Sequence, residues 1–318
     1  MSDLDALLHR PEQEGFWARL WRSPARALAR YIQSHYIAVE PAVDARRSLN
    51  VVCISDTHNT KPNLPDGDIL IHAGDLTQSG TRRELEEQIN WLDSQPHRYK
   101  LLIAGNHELC LDSQFSRSTL RKEGTPDEHK HHHDQDPMDW KSLIYLNNTS
   151  ATLTFGNGRE LKVFGSPYTP KHGNWAFQYP RTNTTIWDEI GIPEGLNILI
   201  THGPPKAHLD IDCLGCSLLR KALWEKKCRP LLHVFGHIHG GYGKEVVSWD
   251  SFQREYETVM ESSSAFSRWL GLGRLVYHAM IGMIPGRGDE KNQTIMVNAA
   301  AVGGVRDEKR RGAICVNI

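Results

Sequence analysis

Six short apolar runs constrain the fold of this chain more than any other feature. Each run has four to six residues, is rich in Val, Ile and Leu, and is followed by a polar loop. The runs are Asn50–Ile54, Asp68–Ala73, Lys100–Ala104, Leu161–Phe164, Asn197–Thr201 and Leu231–Phe235. Continuous apolar runs of this length are typical of strands that are buried on both faces of a sheet. The sequence therefore predicts a sheet covered on both sides.

A helix is predicted between the second and third runs. Thr81 and Glu84 have the spacing of a capping box, and apolar residues continue at helical spacing through Leu92, with Pro96 marking the end. Strands that alternate with helices favour a layered α/β domain. At 318 residues the chain is long enough for one large domain or two small ones.

The composition limits the partners and the compartment. With 39% hydrophobic residues, 24% charged residues and a net charge of -1, the chain lacks the basic excess that a nucleic-acid backbone requires. Its six cysteines are not spaced as a disulfide framework. No secretory signal and no stretch of roughly 20 apolar residues is found, so we expect a cytoplasmic protein without a transmembrane segment. The oligomeric state is left open.

Two helical segments lie outside the pattern of strands. Residues 14–37 alternate Trp and other apolar side chains with arginines, which predicts amphipathic helices. They either pack on the main domain or make a weak peripheral contact with a membrane. Residues 262–285 are too short and too interrupted to span a membrane, so we expect a covering helix or a lid there.

These observations predict the organisation of the chain. We expect an N-terminal helical extension over residues 1–45 and a single domain over 46–318. Insertions are expected at about 124–137 and 250–290. The first insertion contains the His-rich segment Glu128–Asp134, which we interpret as a solvated loop.

Five of the predicted strands are followed by residue types that commonly bind metals. These strand ends carry Asp56-Thr-His58, Gly74-Asp75, Gly105-Asn106-His107-Glu108, Thr201-His202-Gly203 and Gly236-His237-Ile-His239. Any one of these short patterns occurs by chance. Five of them in order, each directly after a predicted strand, indicate a site at the strand-end rim where α/β folds place their ligands.

The residue types predict two metal ions. Imidazole nitrogens, carboxylate oxygens and an amide oxygen form a mixed set, which favours Mn, Fe or Zn over Mg or Ca. The absence of thiolates from this set argues against a structural zinc site. Seven donors are too many for one ion, whereas two ions about 3.5–4 Å apart that share a carboxylate use them all. We expect manganese first, with iron or zinc as alternatives.

With this pattern the chain resembles the calcineurin-like metallophosphoesterase superfamily. Within it, the chain is most similar to the metallophosphoesterase domain-containing phosphodiesterases, which are like the class III cyclic nucleotide phosphodiesterases. The closer likeness rests on Ile71–Thr77, Lys100–Glu108, Gly165–Pro170, Trp175–Tyr179, Thr201–Pro205, Val234–His239 and Gly241–Gly243. It covers about residues 49–318, apart from the His-rich loop and the 262–285 helix. The resemblance implies a four-layer αββα sandwich.

The resemblance also implies a role for each candidate residue. Asp56, His58 and His239 would hold the first metal, Asp75 would bridge and act in catalysis, and Asn106, His202 and His237 would hold the second metal. His107 would contact the phosphate and protonate the leaving oxygen. The implied reaction is attack on a phosphoric ester by a hydroxide between the two metals.

A departure from one branch of the superfamily bears on the substrate. Protein serine/threonine phosphatases have an arginine that grips the phosphate dianion, and Ser79 stands at that position here. We therefore expect a phosphodiesterase that acts on a small phosphodiester, with cyclic nucleotides as candidates. The alternatives are a phosphomonoesterase, for which a cationic clamp would come from Arg82, Arg83, Lys171 or Arg181, and a binding protein without turnover.

Overall fold

The computed structural model describes most of the predicted domain. The described residues are 15–36, 48–113, 115, 137–211, 214–225, 229–282, 292–304 and 307–318. The His-rich segment at 128–134 and the expected domain boundary near residue 45 lie outside these residues. The expected domain organisation therefore stays a prediction.

The strands occur along the whole domain. In the described residues they are β1 (Asn50–Ile54), β2 (Ile69–His72), β3 (Tyr99–Leu102), β4 (Ile144–Tyr145), β5 (Thr149–Thr154), β6 (Glu160–Ser166), β7 (Thr169–Pro170), β8 (Gln178–Tyr179), β9 (Ile198–Thr201), β10 (Leu232–Phe235), β11 (Gly243–Ser248), β12 (Gln293–Asn298), β13 (Val302–Gly303), β14 (Lys309–Arg310) and β15 (Ile314–Asn317). The six apolar runs correspond to β1, β2, β3, β6, β9 and β10, so each predicted strand is confirmed.

The helices lie before, between and after the strands. In the described residues they are α1 (Phe16–Arg22), α2 (Pro24–His35), α3 (Arg82–Asp93), α4 (Ile186–Ile190), α5 (Ser217–Glu225), α6 (Ser251–Glu261) and α7 (Ala265–Gly282). Single 3-10 turns cover Leu109–Leu111 and His239–Gly241.

Two sheets form the centre of the fold. The first has the order β15-β1-β2-β3-β4, and the second has the order β11-β12-β10-β9-β6-β5. β1 to β4 run parallel to one another, and so do β6, β9, β10 and β12. The antiparallel strands β15, β11 and β5 lie at the edges. The parallel strands therefore bring several carboxyl ends to one side of each sheet.

The apolar side chains assemble these elements into four layers. Val51 and Ile71 of the first sheet pack against Val163 and Ile200 of the second. Helix α3 packs on the outer face of the first sheet, and α4 and α5 pack on the outer face of the second. The predicted αββα sandwich is confirmed.

The predicted capping box starts helix α3. The Thr81 hydroxyl accepts a hydrogen bond from the backbone N–H of Glu84, and the Glu84 carboxylate accepts one from the backbone N–H of Thr81. Such a cap stabilises a helix by about 1 kcal/mol. The helix ends at Asp93, close to the predicted end near Pro96.

The N-terminal helices differ in how they pack. Helix α2 buries Ala25 and Ala29 in an apolar cluster with Phe252 of α6 and Leu275 of α7. Helix α1 buries none of its residues. The helix predicted within 262–285 is α7, and α6 precedes it; a lid function stays a prediction.

Two expectations about the whole chain can be compared with the structure. Within the described ranges, no helix is both long enough and apolar enough to cross a membrane. The four cysteines in those ranges are free thiols: Cys53 and Cys216 are buried, whereas Cys110 and Cys315 are exposed.

Candidate metal centre

The candidate residues lie where the carboxyl ends of both sheets meet. The Ser55 N–H, just after β1, donates to the Ala299 carbonyl at 2.9 Å, and the Ala301 N–H donates to the Ser55 carbonyl at 2.7 Å. These bonds join the end of β12 in the second sheet to the end of β1 in the first. All the predicted ligands come after strands at this edge. Asp56 and His58 follow β1, Asp75 follows β2, Asn106 follows β3, His202 follows β9, and His237 and His239 follow β10, with His239 starting a 3-10 turn.

The backbone at this edge is bent into an uncommon conformation. Four of the predicted ligands have positive φ angles: Asp56 (52°), His58 (42°), Asp75 (54°) and His237 (65°). A residue other than glycine in this region costs about 1 kcal/mol or more and is held there by its surroundings. The loops therefore turn sharply after their strands and aim these side chains at one another.

The glycines of the strand-end patterns give the carboxylates room. A Cβ at Gly236 would overlap the Asp56 carboxylate, and a Cβ at Gly105 would overlap the Asp75 carboxylate. Because glycine has no Cβ, the neighbouring backbone approaches each carboxylate closely. Glycine is thus required at both positions to leave space for a carboxylate, and not because the backbone there has a positive φ angle.

The first group of donors contains Asp56, His58 and His239. One donor atom from each residue lies within 4.8 Å of the other two. The Nε2 atom of His239 is 3.2 Å from Oδ1 of Asp56. The Nδ1–H of His58 donates to the Thr77 carbonyl at 3.1 Å, which leaves Nε2 as the donor atom. This Nε2 is buried and has no hydrogen-bond partner among the described residues.

The second group contains Asp75, His202 and His237, and their donor atoms also lie within 4.8 Å of one another. The Nδ1–H of His202 donates to the Ala73 carbonyl at 2.8 Å, and its Nε2 lies 3.3 Å from Oδ2 of Asp75. The Oδ1 of Asn106 is 3.1 Å from the same Nε2.

Asp75 lies between the two groups. Its Oδ2 is 3.3 Å from Nε2 of His202 in the second group and 4.0 Å from Nε2 of His58 in the first. This position suits a carboxylate shared by two ions. The structure thus brings all seven predicted ligands together.

His107 lies beside both groups. A nitrogen of His107 comes within 4.8 Å of donor atoms of His58 and Asp75, and its ring is 4.6 Å from that of His58. The Nδ1–H of His107 donates to the Gln78 carbonyl at 2.8 Å, so Nε2 is the nitrogen left for other partners. Its location agrees with the predicted contact to a bound phosphate, and the role itself stays a prediction.

The electrostatics make the cluster a site for positive charge. Burial alone would raise the pKa of Asp56, but the hydrogen bond and charge of His239 outweigh it and hold this pKa well below its usual range. Burial would also raise the pKa of Asp75, but the neighbouring histidines, chiefly the charge of His202, outweigh this effect and hold the pKa of Asp75 well below its usual range. Both carboxylates are therefore ionised and need cations beside them.

The histidines divide according to their nearest acids. Burial lowers the pKa of His202 and His239, but the neighbouring Asp75, Asp56 and Asp307 carboxylates raise both pKa values to about 9. Burial, with the charge of His202, lowers the pKa of His237 to about 3, and burial also lowers that of His58. His237 and His58 are therefore in the neutral form that binds metals.

Glu108 holds together two of the loops that carry candidate ligands. Its place in the sequence pattern did not predict this role. This buried carboxylate accepts hydrogen bonds from the backbone N–H groups of Asp75 at 2.9 Å, Thr77 at 2.9 Å and Gly105 at 2.6 Å. It therefore fixes the loop after β2 to the loop after β3. Sequence reasoning identified the residue but not its function.

Sequence reasoning gave no role to two other neighbours of the centre. The Asp307 carboxylate accepts a hydrogen bond from Nδ1 of His239 at 2.9 Å, so Nε2 of His239 faces Asp56. The Trp175 indole stacks on the His107 ring, with centroids 4.4 Å apart. Trp175 belongs to a segment that marks the resemblance, whereas Asp307 lies far along the chain with no signal around it.

The residues fit a pair of divalent cations. The set offers two ionised carboxylates, an amide oxygen and imidazole nitrogens, of which the buried Nε2 of His58 lacks a partner among the described residues. The opposite nitrogens of His58, His202 and His239 each donate to an oxygen, as is usual for metal-bound histidines.

Comparison with known proteins decides the family. The model of the family described as calcineurin-like phosphoesterase matches residues 49–241. The chain belongs to this calcineurin-like phosphoesterase family. The matched interval contains all seven candidate ligands and His107.

Curated relatives extend the similarity beyond that interval. This chain is 58% identical over 316 residues to probable rhamnogalacturonate lyase C of Emericella nidulans, and the match covers 99% of this chain and 29% of that protein. It is 39% identical over 208 residues to human metallophosphoesterase domain-containing protein 1, covering 60% of this chain and 61% of the relative. A UPF0046 protein of Caenorhabditis elegans is 36% identical over 214 residues, covering 64% and 68%. The chain thus spans under two thirds of the fungal and human relatives.

Proposed function

We propose that this phosphoesterase is a dinuclear metal-dependent phosphodiesterase whose substrate is a small phosphodiester such as a cyclic nucleotide. The observation that carries the proposal is the convergence of two donor groups, Asp56/His58/His239 and Asp75/His202/His237, with Asp75 between them. Keeping such a buried set of charged and polar side chains without a ligand would be costly. This cost supports an enzyme over a binding protein that has lost its metals.

Each candidate ligand has a proposed place. Asp56, His58 and His239 would hold one ion, Asn106, His202 and His237 would hold the other, and Asp75 would contact both. Two divalent cations would supply a water of lowered pKa and would neutralise charge on the phosphoryl group. The mixed donors favour manganese, with iron or zinc as alternatives. Because the neighbouring carboxylates raise the pKa of His202 and His239 to about 9, both rings would carry an extra proton without the ions, and binding of the ions would release it.

His107 would act on the leaving oxygen. Its Nδ1–H is committed to the Gln78 carbonyl, so the ring can present only Nε2 to the substrate. A proton on Nε2 would pass to the leaving oxygen as its bond to phosphorus breaks. The stacked Trp175 restrains the plane of the His107 ring.

Trp175 supports a nucleotide as the substrate. Trp175 is 40% exposed although its ring stacks on His107, so aromatic surface remains open beside the proposed proton donor. A flat aromatic surface of this kind binds a nucleobase by stacking. Trp175→Ala should raise KM for a cyclic nucleotide more than for a dialkyl phosphodiester, which has no aromatic ring to stack.

The alternative of a phosphomonoesterase needs a cationic clamp for the additional charge. Arg82 and Arg83 instead pair with Glu86 and Glu87, one turn further along α3, at 2.9 and 3.3 Å. The other candidates, Lys171 and Arg181, are exposed, and Arg181 donates to the Lys171 carbonyl. This arrangement supports a diester substrate.

A substrate panel tests the proposal. The manganese-loaded protein should hydrolyse bis-p-nitrophenyl phosphate and at least one 2′,3′- or 3′,5′-cyclic nucleotide at least about tenfold faster than p-nitrophenyl phosphate, because one negative charge needs no clamp. Elemental analysis should find two ions per chain, and Asp75→Asn should lower both the metal content and all the rates. Faster cleavage of the monoester would overturn the diesterase proposal, and one ion per chain, unaffected by Asp75→Asn, would overturn the shared carboxylate.

Two further points belong to the same proposal. We place the protein in the cytoplasm, because its cysteine spacing is not that of a disulfide-stabilised secreted domain. The lyase name of the fungal relative describes a protein of which this chain spans 29%, and no lyase activity is proposed for the chain.

A further inference from the structure

Helix α7 presents a stripe of large apolar side chains to solvent. One face is buried on α2 and α6 through Leu272 and Leu275. On the other face, exposed apolar residues recur at spacings of three, four and seven: Phe266, Trp269, Leu270, Tyr277 and Met280. Phe266 is 78% exposed and Met280 is 62% exposed. Single exposed apolar residues are ordinary, but a continuous stripe marks a contact with an apolar partner.

Helix α1 also exposes large apolar side chains. It has seven residues, buries none of them, and leaves Trp17 71% and Trp21 88% exposed. A helix this short is not stable in water by its own hydrogen bonds. Phe16 contributes an edge contact to Tyr31 of α2, at a ring distance of 6.5 Å. Trp17 and Trp21, in contrast, are mostly exposed to solvent.

A cleft lined by arginines lies between α1 and α2. The cavity has a volume of about 110 Å³, and it is lined by Arg19, Arg22, Ser23, Arg26, Ala27 and Arg30. Two of the lining residues, Ser23 and Arg26, each have a buried polar atom, Oγ and Nε, without a hydrogen-bond partner among the described residues. Neither α1 nor α2 has an acidic residue in its first turn. Several guanidinium groups around one small cavity form a site for a phosphate-like anion.

We propose that α1, α2 and α7 form a peripheral membrane-binding surface for anionic phospholipids. The arginine cleft would take a lipid headgroup, and the Trp side chains of α1 and the apolar stripe of α7 would enter the interfacial region of the bilayer. An exposed apolar face beside basic residues is the pattern of helices that lie on a membrane. Among the described helices none can cross a membrane, and this mode of binding does not require one.

The charge of the cleft argues for a lipid surface over a second copy of the chain. Two copies that faced each other through this surface would bring one set of arginines against another, because the lining of the cavity, in the part of the chain that the structure describes, contains four arginines and no acidic residue. An anionic membrane neutralises the same arginines and buries the tryptophans at once. The sequence predicted a cover or lid rather than a membrane contact for α7, so this role is an addition to its packing on α2 and α6.

Vesicle sedimentation of the full chain tests the proposal. The protein should bind vesicles of phosphatidylcholine with about 30% phosphatidylserine at least about tenfold more tightly than vesicles of phosphatidylcholine alone. Raising the salt from about 0.1 M to about 0.5 M should weaken this binding, because the headgroup contact is screened.

Two pairs of variants separate the contributions of charge and apolar surface. Arg19→Gln with Arg22→Gln should lower binding to the anionic vesicles about tenfold, and Trp17→Ser with Trp21→Ser should lower it by a similar factor. The exposed pair Lys162→Gln with Lys221→Gln and the single change Leu214→Ser, all outside the surface, serve as matched controls. Circular dichroism and thermal melting should show that every variant is folded.

Several outcomes would overturn the proposal. Failure of the wild-type chain to bind the anionic vesicles would do so, as would equal binding of the Arg19/Arg22 variant. If light scattering finds a dimer that Trp17→Ser with Trp21→Ser dissociates, the surface is an interface between copies. If calorimetry shows that the cleft binds inorganic phosphate but the protein does not bind vesicles, the ligand is a free anion. None of these readouts depends on phosphodiesterase activity, so the two proposals fail separately.

Discussion

At the scale of single residues, the centre depends on which nitrogen of each histidine faces it. The carbonyls of Thr77 and Ala73 accept from Nδ1 of His58 and His202, so Nε2 points inward in both residues. A sequence pattern supplies the histidines but not these carbonyls. The orientation of the donors is therefore a property of the loops.

Asp307 gives a direct test of this orientation. Because it accepts from Nδ1 of His239 at 2.9 Å, Asp307→Ala should leave the ring free to turn and should weaken metal binding about 10- to 100-fold. Titration calorimetry with Mn²⁺ measures the effect, and Asp307→Asn should restore part of it. The exposed Glu160→Gln is the matched control. Unchanged affinity in Asp307→Ala would show that the ring is held by other contacts.

His107 is expected to matter for the reaction rather than for the metals. His107→Ala should keep both ions and should lower kcat by about 10²- to 10⁴-fold for a cyclic nucleotide, because a ribose alkoxide needs a proton as it leaves. The loss should be much smaller for a nitrophenyl diester, since nitrophenolate is a good leaving group. Equal losses on the two substrates would point to electrostatic stabilisation instead, and loss of metal would point to a structural role.

At the scale of elements, a buried ion network connects the helices to the second sheet. The His208 side chain is fully buried between Glu245 of β11 at 2.8 Å and Glu257 of α6 at 3.1 Å. Arg220 of α5 pairs with the same Glu257 at 3.4 Å. The network thus connects α5 and α6 to the edge strand β11. Helix α6 is also one of the two helices on which α2 packs.

The stability of this network should depend on pH. Burial alone would lower the pKa of His208, but the charges and hydrogen bonds of Glu245 and Glu257 raise it to about 10, above the unfolded value of roughly 6.5. A raised pKa contributes stability that is fully present below about pH 6.5 and is lost as the pH rises through about 10. The loss should be on the order of a few kcal/mol, and urea unfolding between these pH values measures it. His208→Gln should remove this pH dependence; a parallel decline in the variant would assign it to other groups.

At the scale of the whole molecule, most of the central strands were predictable and the edge strands were not. The central strand β12 is the exception, because it was not among the six apolar runs. Strands such as β9 are buried on both faces, so their sequences are continuous apolar runs that stand out. The edge strand β5 has four exposed residues and lacks such a run. The seven candidate ligands could be found in the sequence because each lies in the loop that follows a central strand. Asp307 and the pairing of α6 with α7 depend on contacts between distant parts of the chain, which no local pattern records.

The meeting of the two sheets at Ser55 has a thermodynamic consequence. Each donor group takes side chains from both sheets: Asp56 and His58 join His239, and Asp75 joins His202 and His237. Ions bound there would act as cross-links between the layers, so metal affinity and folding would be linked quantities. At a free-ion concentration about 100 times Kd, one site adds about 2.7 kcal/mol, so chelation should lower Tm by roughly 5 °C or more. Scanning calorimetry with and without chelator measures the shift. An unchanged Tm in the presence of chelator would mean that bound ions do not stabilise the packing of the two sheets.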